Sequence, residues 1–196
     1  MNDLQTVSVV IVPGLRDETP AHWQALLGKE LPDVRSTPAL GRTNLDLQAR
    51  IEAIEAAVLA AAQPVVLVAH SGGCIATVRW AHRTRLKVRG ALLATPPALR
   101  RPLGPEYPAL SAFAEAGWLP VPQEPLPFPC IVAASRNDPL GEFTELADMA
   151  HAWGAELVDL GEVGHLNPAS GYGPWPEARA LVRRLAQGQV EPGMPA

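Results

Sequence analysis

Two cysteines in 196 residues are too few to staple a secreted scaffold, and a chain of this length does not need one. A domain this size buries roughly 70% of the surface its unfolded chain exposes, so stability requires neither disulfides nor a structural metal. Positive charge is short as well. Lys and Arg number 16 against 20 Asp and Glu, a net charge of −4, where a nucleic-acid-binding domain carries a basic excess. Charged residues make up only 18% and hydrophobic residues 47%, which excludes a disordered chain. The longest apolar stretch, 56–69, is interrupted by Gln63 and Pro64 and falls short of the ~20 residues of a spanning helix. The first basic residue, Arg16, lies beyond the first apolar segment, so no export signal with a basic start is read. No strand-like run leads into a G-x-G-x-x-G or Walker pattern, and no His, Cys and carboxylate set has metal-ligand spacing. The expectation is a cytoplasmic chain with no cofactor, no metal, no nucleic-acid partner and no membrane contact.

What is present is an alternation of two periodicities. Val7–Val12 is a continuous apolar run closed by Pro13-Gly14, the pattern of a strand covered on both faces. Val65–Ala69, Ala91–Ala94, Ile131–Ala134 and Leu157–Leu160 repeat it, and Val34–Thr37 adds a short extended piece. Between them lie helical patterns: one opened by Thr19 as N-cap with Pro20 in its first turn and running to Lys29, then Leu45–Ala62, Cys74–His82, Glu142–Trp153 and Pro176–Leu185. Such a β-α repeat predicts an α/β fold, three layers deep, with a mainly parallel sheet of about six strands and ligands at the strands' carboxyl ends. One domain is expected over 1–187, followed by a flexible tail at 188–196. The exception to the alternation is 96–129, which holds 10 of the 21 prolines. It reads as a lid or pocket wall with one helical piece near Leu110–Gly117.

Chemistry concentrates after the strands. Ala69-His70-Ser71-Gly72-Gly73 follows a buried strand and opens a helix of small residues, the setting of a nucleophile elbow, usually G-x-S-x-G. Gly73 keeps one glycine, and Ala69 puts a methyl group where the other would be. A serine at its free pKa is a poor nucleophile and needs a base and an orienting acid. In this architecture they follow in the order Ser, Asp or Glu, His. Asp138 stands just past the Ile131–Ala134 strand and His165 past the Leu157–Leu160 strand, both in loops, one carrying Pro139 and the other Gly161 and Gly164. The alternatives are weaker. His22, His82 and His151 fall in predicted helices, Glu142 suits a helix first turn, and a Cys74 thiol would point away from the turn. Acyl transfer also needs an oxyanion site, for which the amides of Gly72 and of Leu15, after Pro13-Gly14, are best placed. Arg16, His70 and Trp118 are candidate substrate contacts; Arg136 is a further cation at the same sheet edge. The basic run Arg79 to Arg89 reads as a solvated helix end.

Taken together, Val12-Pro13-Gly14-Leu15, His22-Trp23, Ala69-His70-Ser71-Gly72-Gly73-Cys74, Ala134-Ser135-Arg136-Asn137-Asp138-Pro139 and Gly164-His165-Leu166-Asn167 with Ser170-Gly171 and Trp175 resemble the small serine α/β-hydrolases that include the retinoblastoma-binding protein nine and the YdeN-like proteins. The resemblance covers about Val7–Ala186. It implies a compact α/β-hydrolase fold lacking the two leading antiparallel strands, with Ser71, Asp138 and His165 as catalytic triad and weak carboxylesterase activity on a small-molecule ester. The same machinery serves thioesters, amides and lactones. A second expectation, from the interaction role proposed for some members, is a binding or regulatory protein with little turnover and a protein partner.

Overall fold

The computed structural model describes residues 3–15, 19–41 and 43–190. Six strands form one sheet: β1 (Ser8–Val12), β2 (Val34–Ser36), β3 (Val65–His70), β4 (Gly90–Ala94), β5 (Cys130–Ala134) and β6 (Glu156–Asp159). Their order across the sheet is β2-β1-β3-β4-β5-β6, and every neighbouring pair is parallel. Strict alternation along the central strands sends side chains to opposite faces. Val10, Val12, Leu67, Ala69, Leu93 and Val132 enter one core, whereas Val9, Ile11, Val68, Leu92 and Ile131 enter the other. Both faces are covered, which is why these strands read as unbroken apolar runs.

The first core is closed by α2 (Leu47–Leu59), α3 (Gly72–Ala81) and α5 (Phe143–Ala152), the second by α1 (Trp23–Glu30) and α6 (Pro176–Gln187). Helix α2 presents Leu47, Ile51, Ile54 and Val58 at helical spacing, with Asp46 accepting the Ala49 amide as N-cap. Helix α5 opens with a capping box between Glu142 and Glu145. No helix among the described residues is long and apolar enough to cross a membrane.

Two features depart from the sequence expectation. Helix α1 starts at Trp23 rather than after Thr19, because the Thr19 carbonyl accepts the His22 amide and the chain first makes a turn through Pro20-Ala21. His22 becomes the N-cap, so it is not a residue of the helix interior. The 96–129 segment has its helical piece, α4 (Leu110–Glu115), yet most of it is strapped to the body of the domain. Leu99, Leu103, Phe113 and Trp118 enter the first core, the Pro120 carbonyl accepts from Arg79, and the Pro122 carbonyl accepts from Trp153 Nε1 at 2.8 Å. Gly188 closes α6 in the left-handed conformation; of the expected tail, 191–196 lie outside the described residues.

The direction of the chain reverses between β1 and β3. From β1 it proceeds outward through α1 to β2, and it returns across the other face through α2 to β3. A crevice at the carboxyl ends of β1 and β3 is therefore built into the topology. A Leu92→Ala substitution, at a fully buried position of β4, is expected to cost roughly 2–5 kcal/mol in urea unfolding. Leu59→Ala, 65% exposed at the end of α2, should stay within about 0.5 kcal/mol.

Candidate active site

Ser71 occupies the step between β3 and α3 with φ 54° and ψ −129°, a conformation that costs an L-residue on the order of 1–3 kcal/mol. Three contacts hold it there. Its amide donates to the Ala94 carbonyl of β4 at 3.0 Å, and its carbonyl accepts the Cys74 amide at 2.9 Å. At Gly73 a side chain is impossible: a Cβ would lie 2.5 Å from the Val12 carbonyl oxygen and 2.6 Å from that of Pro13. The methyl of Ala69, by contrast, is accommodated in the first core. Backbone fills the place of a side chain at 73 and leaves room for one at 69.

Asp138 and His165 arrive from the loops after β5 and β6, which are stitched to each other. Ser135 Oγ donates to Asn137 Oδ1 at 2.9 Å and accepts the Val163 amide at 3.2 Å, while Asn137 Oδ1 also accepts the Gly164 amide at 2.6 Å. The Arg136 amide donates to the Gly161 carbonyl at 2.7 Å. Ser170 Oγ, carried by the 3-10 turn Pro168–Ser170, accepts the His165 amide at 3.0 Å. So held, His165 Nδ1 lies 2.9 and 3.0 Å from the two Asp138 carboxylate oxygens, and Nε2 lies 2.8 Å from Ser71 Oγ. A carboxylate can only accept, so Nδ1 carries the proton and the Nε2 lone pair faces the Ser71 hydroxyl. All three side chains are buried.

Around them a cavity of about 350 Å³ opens at the crevice between β1 and β3. Gly14 and Leu15 bound one side, His22 and Gln24 of α1 another, and Tyr107 and Asn167 complete the rim. The β1 loop closely approaches the elbow. A Cβ at Gly14 would stand 3.0 Å from the Ser71 Cβ, and one at Gly72 would stand 3.1 Å from Leu15 Cγ. Gly72 is the first residue of α3, where the amide has no intrahelical partner. Leu15, which borders the cavity, thus packs against Gly72 at the elbow.

Three imidazoles stand in a row beside that space. Ring centroids are 4.9 Å apart from His165 to His70 and 4.7 Å from His70 to His22. His70 Nε2 is 3.0 Å from the His165 carbonyl, which only accepts, so His70 donates and pins the backbone of residue 165. Burial, reinforced by the proximity of His165, holds His70 well below the ordinary imidazole range and His22 at about 4. Both are neutral at pH 7, so neither opposes a positive charge on His165.

The other sequence candidates lie elsewhere. Trp118, expected at the pocket wall, is fully buried behind Gly72, with Nε1 donating to the Leu45 carbonyl at 2.9 Å and its ring edge-on to Phe113. The apolar segment around it draws it into the core. Arg136 is taken up at the surface by Asp159, with Nε to Oδ2 at 2.8 Å, and does not border the cavity. Arg16 lies outside the described residues. Glu142 caps α5 and pairs with Arg101, and His82 and His151 are exposed. The Cys74 thiol donates to the Ala94 carbonyl, and burial pushes it well above the ordinary thiol range. His22, Gln24 and Asn167 were missed as cavity residues; Pro20, which favours a turn, was the available signal that the helix starts late.

The family model for serine hydrolases matches residues 9–184. A protein described as a YdeN-like hydrolase from Pectobacterium atrosepticum is 30% identical, with 96% of this chain and 95% of that chain covered and a TM-score of 0.80. The ydeN gene product of Bacillus subtilis is 22% identical over 93% of this chain and 100% of its own, with a TM-score of 0.70. An esterase from Thermogutta terrifontis shares the fold at 17% identity, TM-score 0.59, with 93% of this chain and 88% of that chain covered. No curated protein matches the sequence.

Two outcomes follow from this geometry. Gly73→Ala forces the Val12 and Pro13 carbonyls apart and is expected to cost at least about 1–3 kcal/mol by urea midpoint; a midpoint equal to wild type would contradict the close approach. As pH falls from the ordinary His22 value of 6.5 toward about 4, the unfolded chain takes up the proton first. The stability that neutral His22 contributes, at most roughly 3 kcal/mol, is therefore complete above pH 6.5 and lost by about pH 4. Urea midpoints at pH 7.5 and 4.5 should fall further for wild type than for His22→Asn, which keeps an N-cap and cannot titrate.

Proposed function

This chain belongs to the serine hydrolase family, as one of its YdeN-like members, and from that premise we propose that it is a carboxylesterase of small esters working through Ser71, His165 and Asp138. The observation that carries this reading is the 2.8 Å approach of His165 Nε2 to the hydroxyl of a backbone-strained serine at the mouth of a small cavity.

The chemistry runs as a double displacement. His165 Nε2 removes the Ser71 proton as Oγ attacks the ester carbonyl carbon, and the carbonyl π pair becomes an oxyanion. The amides of Leu15 and Gly72 hold that charge, each preorganised donor being worth roughly 2.7–4 kcal/mol. Asp138 keeps Nδ1 protonated and stabilises the imidazolium. Collapse breaks the bond to the alcohol oxygen, which leaves with the Nε2 proton, and the acyl group stays on Ser71. Water then gives its proton to Nε2 and attacks the acyl carbon; collapse returns the proton to Ser71 Oγ and releases the acid. The neutral His70 and His22 fit this cycle, since the only cation it generates sits on His165.

A fluorophosphonate probe is expected to add one adduct at Ser71 of the folded protein, read by intact mass and peptide mapping. Turnover of short-chain aryl esters should fall on the order of a million-fold in Ser71→Ala. Ester turnover unchanged by that substitution would sink the proposal.

A further inference from the structure

Beside Ser71, the cavity wall contains two polar atoms that the proposed cycle does not use. Gln24 is 1% exposed, and its Nε2 lies 3.2 Å from the Val12 carbonyl and 3.0 Å from the Val68 carbonyl. That sets the amide orientation, because a flipped group would press Oε1 against two carbonyl oxygens. Both amide hydrogens are spent on the backbone, and Oε1 remains as an acceptor without a partner among the described residues. His22 is 9% exposed, and its Nδ1 accepts the Gln24 amide at 3.2 Å. The neutral ring therefore carries its proton on Nε2, which also has no partner among the described residues. Both residues line the cavity beside Ser71.

An N–H donor and a carbonyl acceptor, two residues apart at the start of α1, ask for a group that both accepts and donates. A methyl group would leave both atoms desolvated and unpaired. A carboxylate would set its charge against the Gln24 oxygen, and an ammonium would have no acceptor to offer the His22 N–H. A hydroxyl or a primary amide satisfies both. We propose that His22 Nε2 and Gln24 Oε1 form a specificity subsite selecting esters that carry an uncharged hydroxyl or primary amide group; the inference rests on the esterase reading of Ser71.

The test compares isosteric pairs on the full chain, with acid release followed by pH-stat. One pair is propyl 3-hydroxybutyrate and propyl 3-methylbutyrate; the other is 2-hydroxyethyl butyrate and propyl butyrate. At least one hydroxylated ester should exceed its partner roughly tenfold or more in kcat/KM, as expected when two hydrogen bonds replace two unpaired atoms. His22→Ser keeps an N-cap acceptor but withdraws the ring donor, and should reduce that ratio below about threefold. Equal rates within both pairs, or a ratio that survives His22→Ser even where all four rates fall alike, would overturn the subsite. A second arm needs neither turnover nor that variant. Ser71→Ala is titrated with methyl succinamate and with its isopropyl-ended counterpart methyl 4-methylpentanoate, read by amide NMR shifts. Methyl succinamate should bind about tenfold more tightly, and equal binding would overturn the subsite. If no ester is turned over while methyl succinamate is still preferred, the esterase reading fails and the polar binding subsite stands.

Discussion

The site depends on how closely the carboxyl ends of β1 and β3 approach the start of α3. The Val12 and Pro13 carbonyls occupy the space that a side chain at residue 73 would need, so the helix can begin directly against β1. That contact fixes the turn, and the turn holds Ser71 at positive φ with its hydroxyl raised toward the crevice. Gln24 reinforces the same junction from the other side by bridging the Val12 and Val68 carbonyls, one from each strand. Strain at a single serine is tolerable because backbone from three directions leaves it no alternative.

The remaining geometry comes from loops that would be too loose if each stood alone. The loops after β5 and β6 share the side chains of Ser135 and Asn137 as a common set of acceptors, so Asp138 and His165 are placed as one unit. His70 extends this unit to the elbow: it is chain neighbour to Ser71 and hydrogen-bonded to the His165 carbonyl. Serine, imidazole and carboxylate are therefore connected through backbone as well as through their side chains. Burial keeps the two accessory imidazoles neutral, so neither of them competes with a positive charge on His165.

The proline-rich segment contributes mainly to packing. With Phe113 and Trp118 in the first core and carbonyls of Pro120 and Pro122 tied to Arg79 and Trp153, it covers α3 and α5, and Tyr107 brings it to the cavity rim. The shape of the cavity is set more by the loop after β1 and the first turn of α1. There a three-residue delay in helix onset turned His22 from a helix residue into a wall residue.

Apolar runs and glycine placement were local signals, and the sequence alone carried them. Unbroken Val, Ile and Leu runs specified strands covered on both faces, and the order of Ser71, Asp138 and His165 after three of them placed all three at one sheet edge. Distances, tautomers and neighbours were decided only by the tertiary structure. The 2.8 Å gap between Ser71 and His165 depends on loops 94 residues apart, and Trp118, packed against nearby Phe113, meets the Leu45 carbonyl 73 residues away. Periodicity reports which face of an element is apolar, which neighbours along the chain suffice to encode. It does not report which side chains from separate loops meet, because that follows from packing the whole chain at once.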